Sequence, residues 1–238
     1  MNNHYSYHKI RIQQEHNVTV VTLADPDTHN ALSNELLEEL CDALSRVSST
    51  VLLLNAEGDH FSIGRPPQSY SAGPETWMKG YYLVMRANEL LMMFPGVTIA
   101  AVQGHARGAG CSLAGRCDLV LAAETATFSF PELRAGVPPV IVGSYYSRKL
   151  PWHAFLRLAL TGEEVSAAEA CRLALVTEVV PDHELPQRAR ELANDLAKID
   201  TNALATLKHF LLSSESASTP QANRLAYAAL LETLASRV

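Results

Sequence analysis

The chain reads as an α/β protein with a mostly parallel sheet. Short apolar, β-branched runs recur along its first half: Val18–Leu23 (VTVVTL), 51–54 (VLLL), Val97–Val102 (VTIAAV) and 118–123 (DLVLAA). Stretches of helical periodicity stand between them, and strands alternating with helices favour parallel pairing. From about residue 153 the pattern is helical throughout.

Taken in order, VTVVTL is a buried strand by its β-branched content. Asp25-Pro26-Asp27 marks a turn. Residues 34–47 carry apolar side chains at 36, 37, 40, 41, 44 and 47, an amphipathic helix with Ser33 or Asn34 as cap and Glu35 in its first turn. A short buried strand at 51–54 precedes a long loop from Gly58 to Gly73, which Pro66 and Pro67 stiffen. Residues 75–94 are helix-like, with Trp77, Tyr81, Tyr82 and several methionines. Strands follow at Val97–Val102 and 118–123. Leu185, Ala189, Leu192, Ala193 and Leu196 line one helical face, and two more helices cover 203–212 and 223–235. The economical division is a core over residues 1–183 and a helical region over 184–238.

Composition narrows the function. The 238 residues are 47% apolar and 18% charged, the balance of an ordinary globular chain with one generous core. A formal charge of −6, without a basic run, argues against nucleic acid as a partner. Cys41, Cys111, Cys117 and Cys171 show no metal-ligand spacing and read as reduced core cysteines. The nine histidines form no HExxH pair, so no metal site is expected. The N-terminal stretch lacks the apolar core of an export signal, and the longest apolar run, 90–102, is interrupted by Pro95-Gly96 and too short to span a bilayer. A cytoplasmic protein without membrane contact is the expectation.

The stretch most suggestive of chemistry is 101–117, AVQGHARGAGCSLAGRC, a strand end running through a glycine-rich turn into a helix. A helix start points free N–H groups and a positive dipole end at what lies in front of it, which suits an anion or an oxygen that becomes one. A glycine-rich joint with no ligand is the plainer reading of the same residues.

Three pieces stand in sequence: Phe61-Ser62-Ile63-Gly64-Arg65 after one strand, GHARGAGCSLA after the next, and ATFSFPELRAGVPP with Pro131-Glu132. With LADPDTHNALSNELLEEL before them and LTGEEVSAAEACRLALVTEVVP after them, the chain resembles the enoyl-CoA hydratase/isomerase family, the crotonases, over nearly its whole length. The resemblance implies a crotonase-like spiral of ββα units with a C-terminal helical trimerisation region, assembled as a homotrimer or dimer of trimers. It implies CoA as part of a thioester substrate, with no permanently bound cofactor.

Carried over residue by residue, the resemblance gives the backbone N–H groups of Arg65 and Ala109 as holders of the thioester oxygen, and Glu132 as the acid–base group. Family hydratases usually carry a second glutamate two residues beyond Gly110, where this chain has Ser112. Ser112 either merely fits its helix or positions a water or acyl oxygen. A single glutamate suits proton shuttling between carbons better than standard water addition, and an apolar pocket, with Phe128, Phe130 and Val137 as lining, would raise its basicity. Arg65 serves as a backbone donor alone or also pairs with an anionic substrate group. Tyr70, Tyr81 or Tyr82 could supply a phenol, His105 could reach a ligand from the glycine turn, and Tyr145-Tyr146 stand where relatives often read GAGGT and could reshape the acyl end. CoA would be bordered by His29, Ala31, Ile63, Gly64, Gln68 and Gly108, with Lys208 near a phosphate.

The expected function is an enoyl-CoA isomerase or a one-glutamate enoyl-CoA hydratase. Two alternatives stay open: a decarboxylase or dehydratase acting on a CoA- or carrier-protein-bound intermediate, and a catalytically silent crotonase-fold subunit.

Overall fold

A computed structural model describes residues 7–70 and 73–235; the side chains at 69 and 70, and with them the Tyr70 expectation, lie outside the described residues. The chain opens with a hairpin of β1 (Ile10–Glu15) and β2 (Val18–Leu23), paired antiparallel through a two-residue turn at His16-Asn17. Then come α1 (Asn34–Arg46), β3 (Val51–Ala56), α2 (Pro74–Met92), β4 (Val97–Val102), β5 (His105–Arg107), α3 (Ala109–Arg116), β6 (Leu119–Ala123) and β7 (Thr127–Ser129). A 3-10 turn at Pro131–Ala135 leads to α4 (Val140–Lys149), α5 (Trp152–Thr161), β8 (Val165–Ser166), α6 (Ala167–Arg172), β9 (Glu178–Val180) and α7 (Leu185–Leu196), and the chain closes with α8 (Thr201–Ser214) and α9 (Thr219–Ala235).

The larger sheet has the order β1-β2-β3-β4-β6-β9, parallel everywhere except at its first pair. A smaller sheet, β5-β7-β8, is extended by a bridge between Ser62 and Ala106. Each turn of the chain therefore gives one strand to the large sheet and one short stretch to the small one before entering a helix or helical turn. The first turn is β3, Ser62 and α2; the second is β4, β5 and α3; the third is β6, β7 and the 3-10 turn. This is the spiral that the sequence resemblance implied.

The central strands are buried on both faces, as parallel strands covered by helices must be. Val51, Leu52, Leu53 and Leu54 are all buried in succession, which is why that run shows no alternation. Ser33 caps α1, its Oγ accepting the Leu36 N–H at 3.1 Å. Strand β1 escaped the sequence reading because IRIQQE is an edge strand with one buried residue, Ile10. Helix α7 buries Leu185, Ala189 and Ala193 against β3, β4 and β6 and belongs to the core, whereas α8 and α9 bury no side chain.

Asn30 closes the loop after β2 on the loop after β3. It is fully buried at φ 52°. Its side-chain oxygen accepts the Asp25 N–H at 2.9 Å, and its amide donates to Glu57 O and His60 O, both at 2.8 Å. Replacement by Ala strands two carbonyls and one N–H and removes a residue suited to the left-handed region. Asn30→Ala is expected to lower stability by about 3 kcal/mol, read in urea as a lower midpoint at unchanged slope. A loss below about 1 kcal/mol would show that the turn holds without it.

Candidate active site

The three spiral turns leave the small sheet side by side, and main-chain hydrogen bonds fix their relative height. Ser62 N–H donates to His105 O at 2.9 Å, Arg107 N–H to Ser62 O at 3.0 Å, and Gly108 N–H to Ser129 O at 2.8 Å. The segments that follow are Ile63-Gly64-Arg65, Gly108-Ala109 and Pro131-Glu132, and all seven residues border one cavity. Two glycines make the approach possible. Gly64, at φ 80°, lies so close to the second turn that a Cβ there would stand 2.5 Å from Arg107 O and 3.4 Å from Ala109 N. Gly108, at φ 50°, leaves room in which a Cβ would stand 2.8 Å from Glu132 Oε1.

Ala109 is the first residue of α3, and the first N–H of that helix to bond within it is Ser112 N–H, to Gly108 O at 2.9 Å. The Ala109 N–H therefore has no partner inside its own helix and sits at the positive dipole end. Arg65 borders the same cavity from the facing loop.

Glu132 lies in the 3-10 turn with Pro131 at its start, and it is about nine-tenths buried. Its Oε2 has no hydrogen-bond partner among the described residues. Burial in apolar surroundings pushes its carboxyl up to about 7, against a small opposing pull from its own backbone N–H. The cavity facing it is walled by Val84 of α2, Val137, Pro138-Pro139, and Ile141 and Val142 of α4, with Tyr81 of α2 also on the lining.

Several sequence expectations meet a different geometry. Ser112 is fully buried and off the cavity; its Oγ accepts from Asn88 Nδ2 at 2.8 Å, joining α3 to α2. The Arg65 side chain turns away into the protein, donating to Leu32 O and, at 2.8 Å, to Asn34 Oδ1, so it braces the start of α1. Phe128 and Phe130, expected as lining, lie in the core instead, Phe130 against the rings of Tyr146 and Phe155. His105 stacks on His60 at 4.4 Å and bonds Thr127 Oγ1 at 2.7 Å, and Tyr82 is solvent-exposed.

Of the CoA-border residues, His29, Ala31, Ile63 and Gly64 come together: Ile63 N–H donates to His29 O at 3.3 Å, and Leu32 N–H, next to Ala31, donates to Gly64 O at 2.8 Å. Gln68 is exposed on the neighbouring 3-10 turn. Lys208 is not part of this group. Its ammonium donates to Asp118 Oδ2 at 2.8 Å and to Leu91 O and Gly96 O, with Gly96 and Asp118 just before β4 and β6, at the N-terminal ends of the strands rather than at the C-terminal ends that lead to the cavity. The apolar wall from Pro138 to Val142 and the Asn88–Ser112 pair had no signature in the sequence, since each depends on which helix faces which. Among the described residues no group of three His, Cys, Asp or Glu side chains could hold a metal ion.

The Glu132 carboxyl ionises near 4.5 in the unfolded chain and near 7 in the fold. Between those values unfolding releases a proton, so stability falls as pH rises from about 4.5 to about 7 and is level above that. The buried charge thus costs about 3 kcal/mol at neutral and higher pH. Glu132→Gln is expected to be more stable than wild type at pH 8, with the two chemical-denaturation curves converging toward pH 5. A difference independent of pH would show that this carboxyl ionises normally in the fold.

The sequence profile of the enoyl-CoA hydratase/isomerase family matches residues 13–237. Enoyl-CoA hydratase domain-containing protein 3 of Xenopus laevis, named as mitochondrial, is 28% identical over 230 residues, covering 94% of this chain and 78% of that protein. An enoyl-CoA hydratase structure from Mycobacterium smegmatis superposes with a TM-score of 0.91 at 26% identity, covering 95% of this chain and 91% of that one. A Thermobifida fusca YX structure of the enoyl-CoA hydratase type, solved in complex with CoA, gives 0.89 at 27% identity, covering 96% and 93%.

Proposed function

The chain belongs to the enoyl-CoA hydratase/isomerase family, and on that premise we propose that it is an enoyl-CoA isomerase, moving a double bond along a CoA thioester with Glu132 as the one proton carrier. The observation that carries this reading is the pairing of one buried carboxyl, poised near neutral pH, with a second acid–base position filled by a serine that faces Asn88 rather than the cavity.

The thioester oxygen sits between the Arg65 and Ala109 N–H groups. Glu132, ionised above about pH 7, removes a proton from the carbon next to the thioester carbonyl. The electron pair left behind delocalises onto the oxygen as an enolate, and the two N–H groups stabilise that charge as it develops, by about 3–4 kcal/mol per donor. Glu132, now a neutral acid, returns the proton at the γ carbon, and the double bond shifts into conjugation. One carboxyl suffices because it takes a proton and gives it back. His29, Ala31, Ile63 and Gly64 border the CoA portion of the substrate, and the Thermobifida fusca relative solved with CoA supports a CoA thioester as the substrate class.

The test is deuterium uptake from heavy water into 2- and 3-enoyl-CoA thioesters, followed by mass. Wild type is expected to label the α and γ carbons with double-bond migration, and Glu132→Gln to lose at least three orders of magnitude in rate. The rate should rise with pH and level off above about 7, since the base form is the ionised one. Added water in the product would make the enzyme a one-glutamate hydratase, and exchange unaffected by Glu132→Gln would remove the assignment.

Assembly as a homotrimer or dimer of trimers is supported by α8 and α9. They bury no side chain within the chain and expose Leu207, Leu211, Tyr227, Leu230, Leu231 and Leu234. Apolar faces of that extent mark interfaces. Sedimentation at micromolar concentration is expected to give three or six chains per particle, and a monomer would refute it.

A further inference from the structure

Helix α2 gives Tyr81 and Val84 to the cavity wall, yet its first turns have no apolar anchor. From Pro74 to Lys79 no residue is buried; burial starts at Gly80 and continues through Leu83, Val84, Ala87 and Leu91. At Gly80 the helix rests on the Arg65 side chain. A Cβ there would overlap the guanidinium and stand 2.7 Å from Asn34 Oδ1. Arg65 is 8% exposed, and its planar fork donates to Leu32 O and, at 2.8 Å, to Asn34 Oδ1. Asn34 Nδ2 donates in turn to Thr76 O at 3.3 Å, and Leu32 N–H donates to Gly64 O at 2.8 Å. One guanidinium therefore joins the 63–65 loop, the start of α1 and the first half of α2. The Lys79–Glu38 pair on the outside of the same helix is half-exposed at both ends and adds little.

We propose that the Arg65 side chain is a positioning residue, clamping the first half of α2 onto the loop that carries one thioester-oxygen donor so that the Tyr81–Val84 wall stands over the cavity before substrate arrives. The effect on substrate rests on the thioester reading above; the clamp does not. Arginine suits the task because a rigid fork serves two fixed acceptors at once, which a lysine ammonium on a flexible stem does less well. Glycine inside a helix is otherwise unfavourable relative to alanine, and at 80 it is what lets α2 come down onto the guanidinium. A wall ordered in advance leaves less ordering to be done at binding.

The experiment is amide hydrogen exchange of the full-length protein, read by mass over 78–84 of α2 with β3 and β4 as references, for wild type, Arg65→Ala, Gly80→Ala and the double variant. Arg65→Ala is expected to speed exchange over 78–84 by about tenfold, as loss of one charge-assisted hydrogen bond would, with the reference strands unchanged. Gly80→Ala should do the same although it leaves Arg65 in place and favours helix. In the double variant the new methyl enters the space the guanidinium left, so exchange should be no faster than in Arg65→Ala. Calorimetry with butyryl-CoA, which has no double bond to move, should show affinity about tenfold lower in Arg65→Ala, since α2 must then be ordered at binding. In turnover of a 3-enoyl-CoA the rise in KM should exceed the fall in kcat, because the substitution keeps the peptide N–H. Exchange that rises equally in the reference strands makes Arg65 an ordinary stabilising residue and overturns the proposal. So do additive effects of the two substitutions, or an unchanged affinity in Arg65→Ala. If wild type binds no thioester, the thioester reading falls and the exchange pattern alone decides the clamp.

Discussion

Main-chain hydrogen bonding between successive turns of the spiral is the constraint on which the site depends. Arg107 N–H to Ser62 O and Gly108 N–H to Ser129 O set three loops at one level, and everything chemical follows from that level. Arg65 and Ala109 border the same cavity because the segments before them are in register, and Glu132 borders it from the third side because Pro131 begins a helical turn two residues after β7 ends. A cavity positioned by main-chain bonds makes few demands on the side chains around it. This explains how the serine at 112, the tyrosines at 145 and 146 and the arginine at 65 coexist with a backbone that superposes closely on relatives about one quarter identical.

Side-chain burial around Glu132 sets stability against reactivity. An apolar wall and a carboxylate oxygen without a partner make the ionised form costly. That same cost makes the carboxylate a stronger base than a solvated glutamate, so the energy withheld from folding is available as driving force when the group takes a proton. Gly108 keeps this arrangement possible by leaving no Cβ against Glu132 Oε1.

Much of the fold was legible in the sequence where the signal was local. The runs VTVVTL and VTIAAV bound their strands to the residue, and Ser33 caps α1 as its position before the periodic apolar residues implied. The glycine-rich turn of 101–117 marked a close approach, seen at Gly108, and Pro131-Glu132 marked the third loop. What was not legible depends on pairing between distant elements. Ser112 lies within four residues of the cavity-lining Ala109, and only the facing position of Asn88 on α2 reveals that its hydroxyl is engaged elsewhere. Lys208 has the charge of a phosphate contact, but it is paired with Asp118 at the start of β6. Phe130 and Val137 are neighbours in sequence on either side of Glu132, yet one belongs to the core and the other to the cavity.

The contact between α3 and α4 has a consequence for how this pair of helices could be inherited and altered. Gly115 sits directly beneath the two tyrosine hydroxyls, and a methyl group at that position would overlap the Tyr146 oxygen. Any lineage that replaces the glycine while both tyrosines stand passes through a chain in which the tyrosine hydroxyls must give up their place against α3. The reverse order is open, since trimming a tyrosine first leaves a gap that a larger residue at 115 can later fill. The packing of α4 on α3 is therefore ratcheted: change begins at the rings, and the glycine is the last of the three positions released.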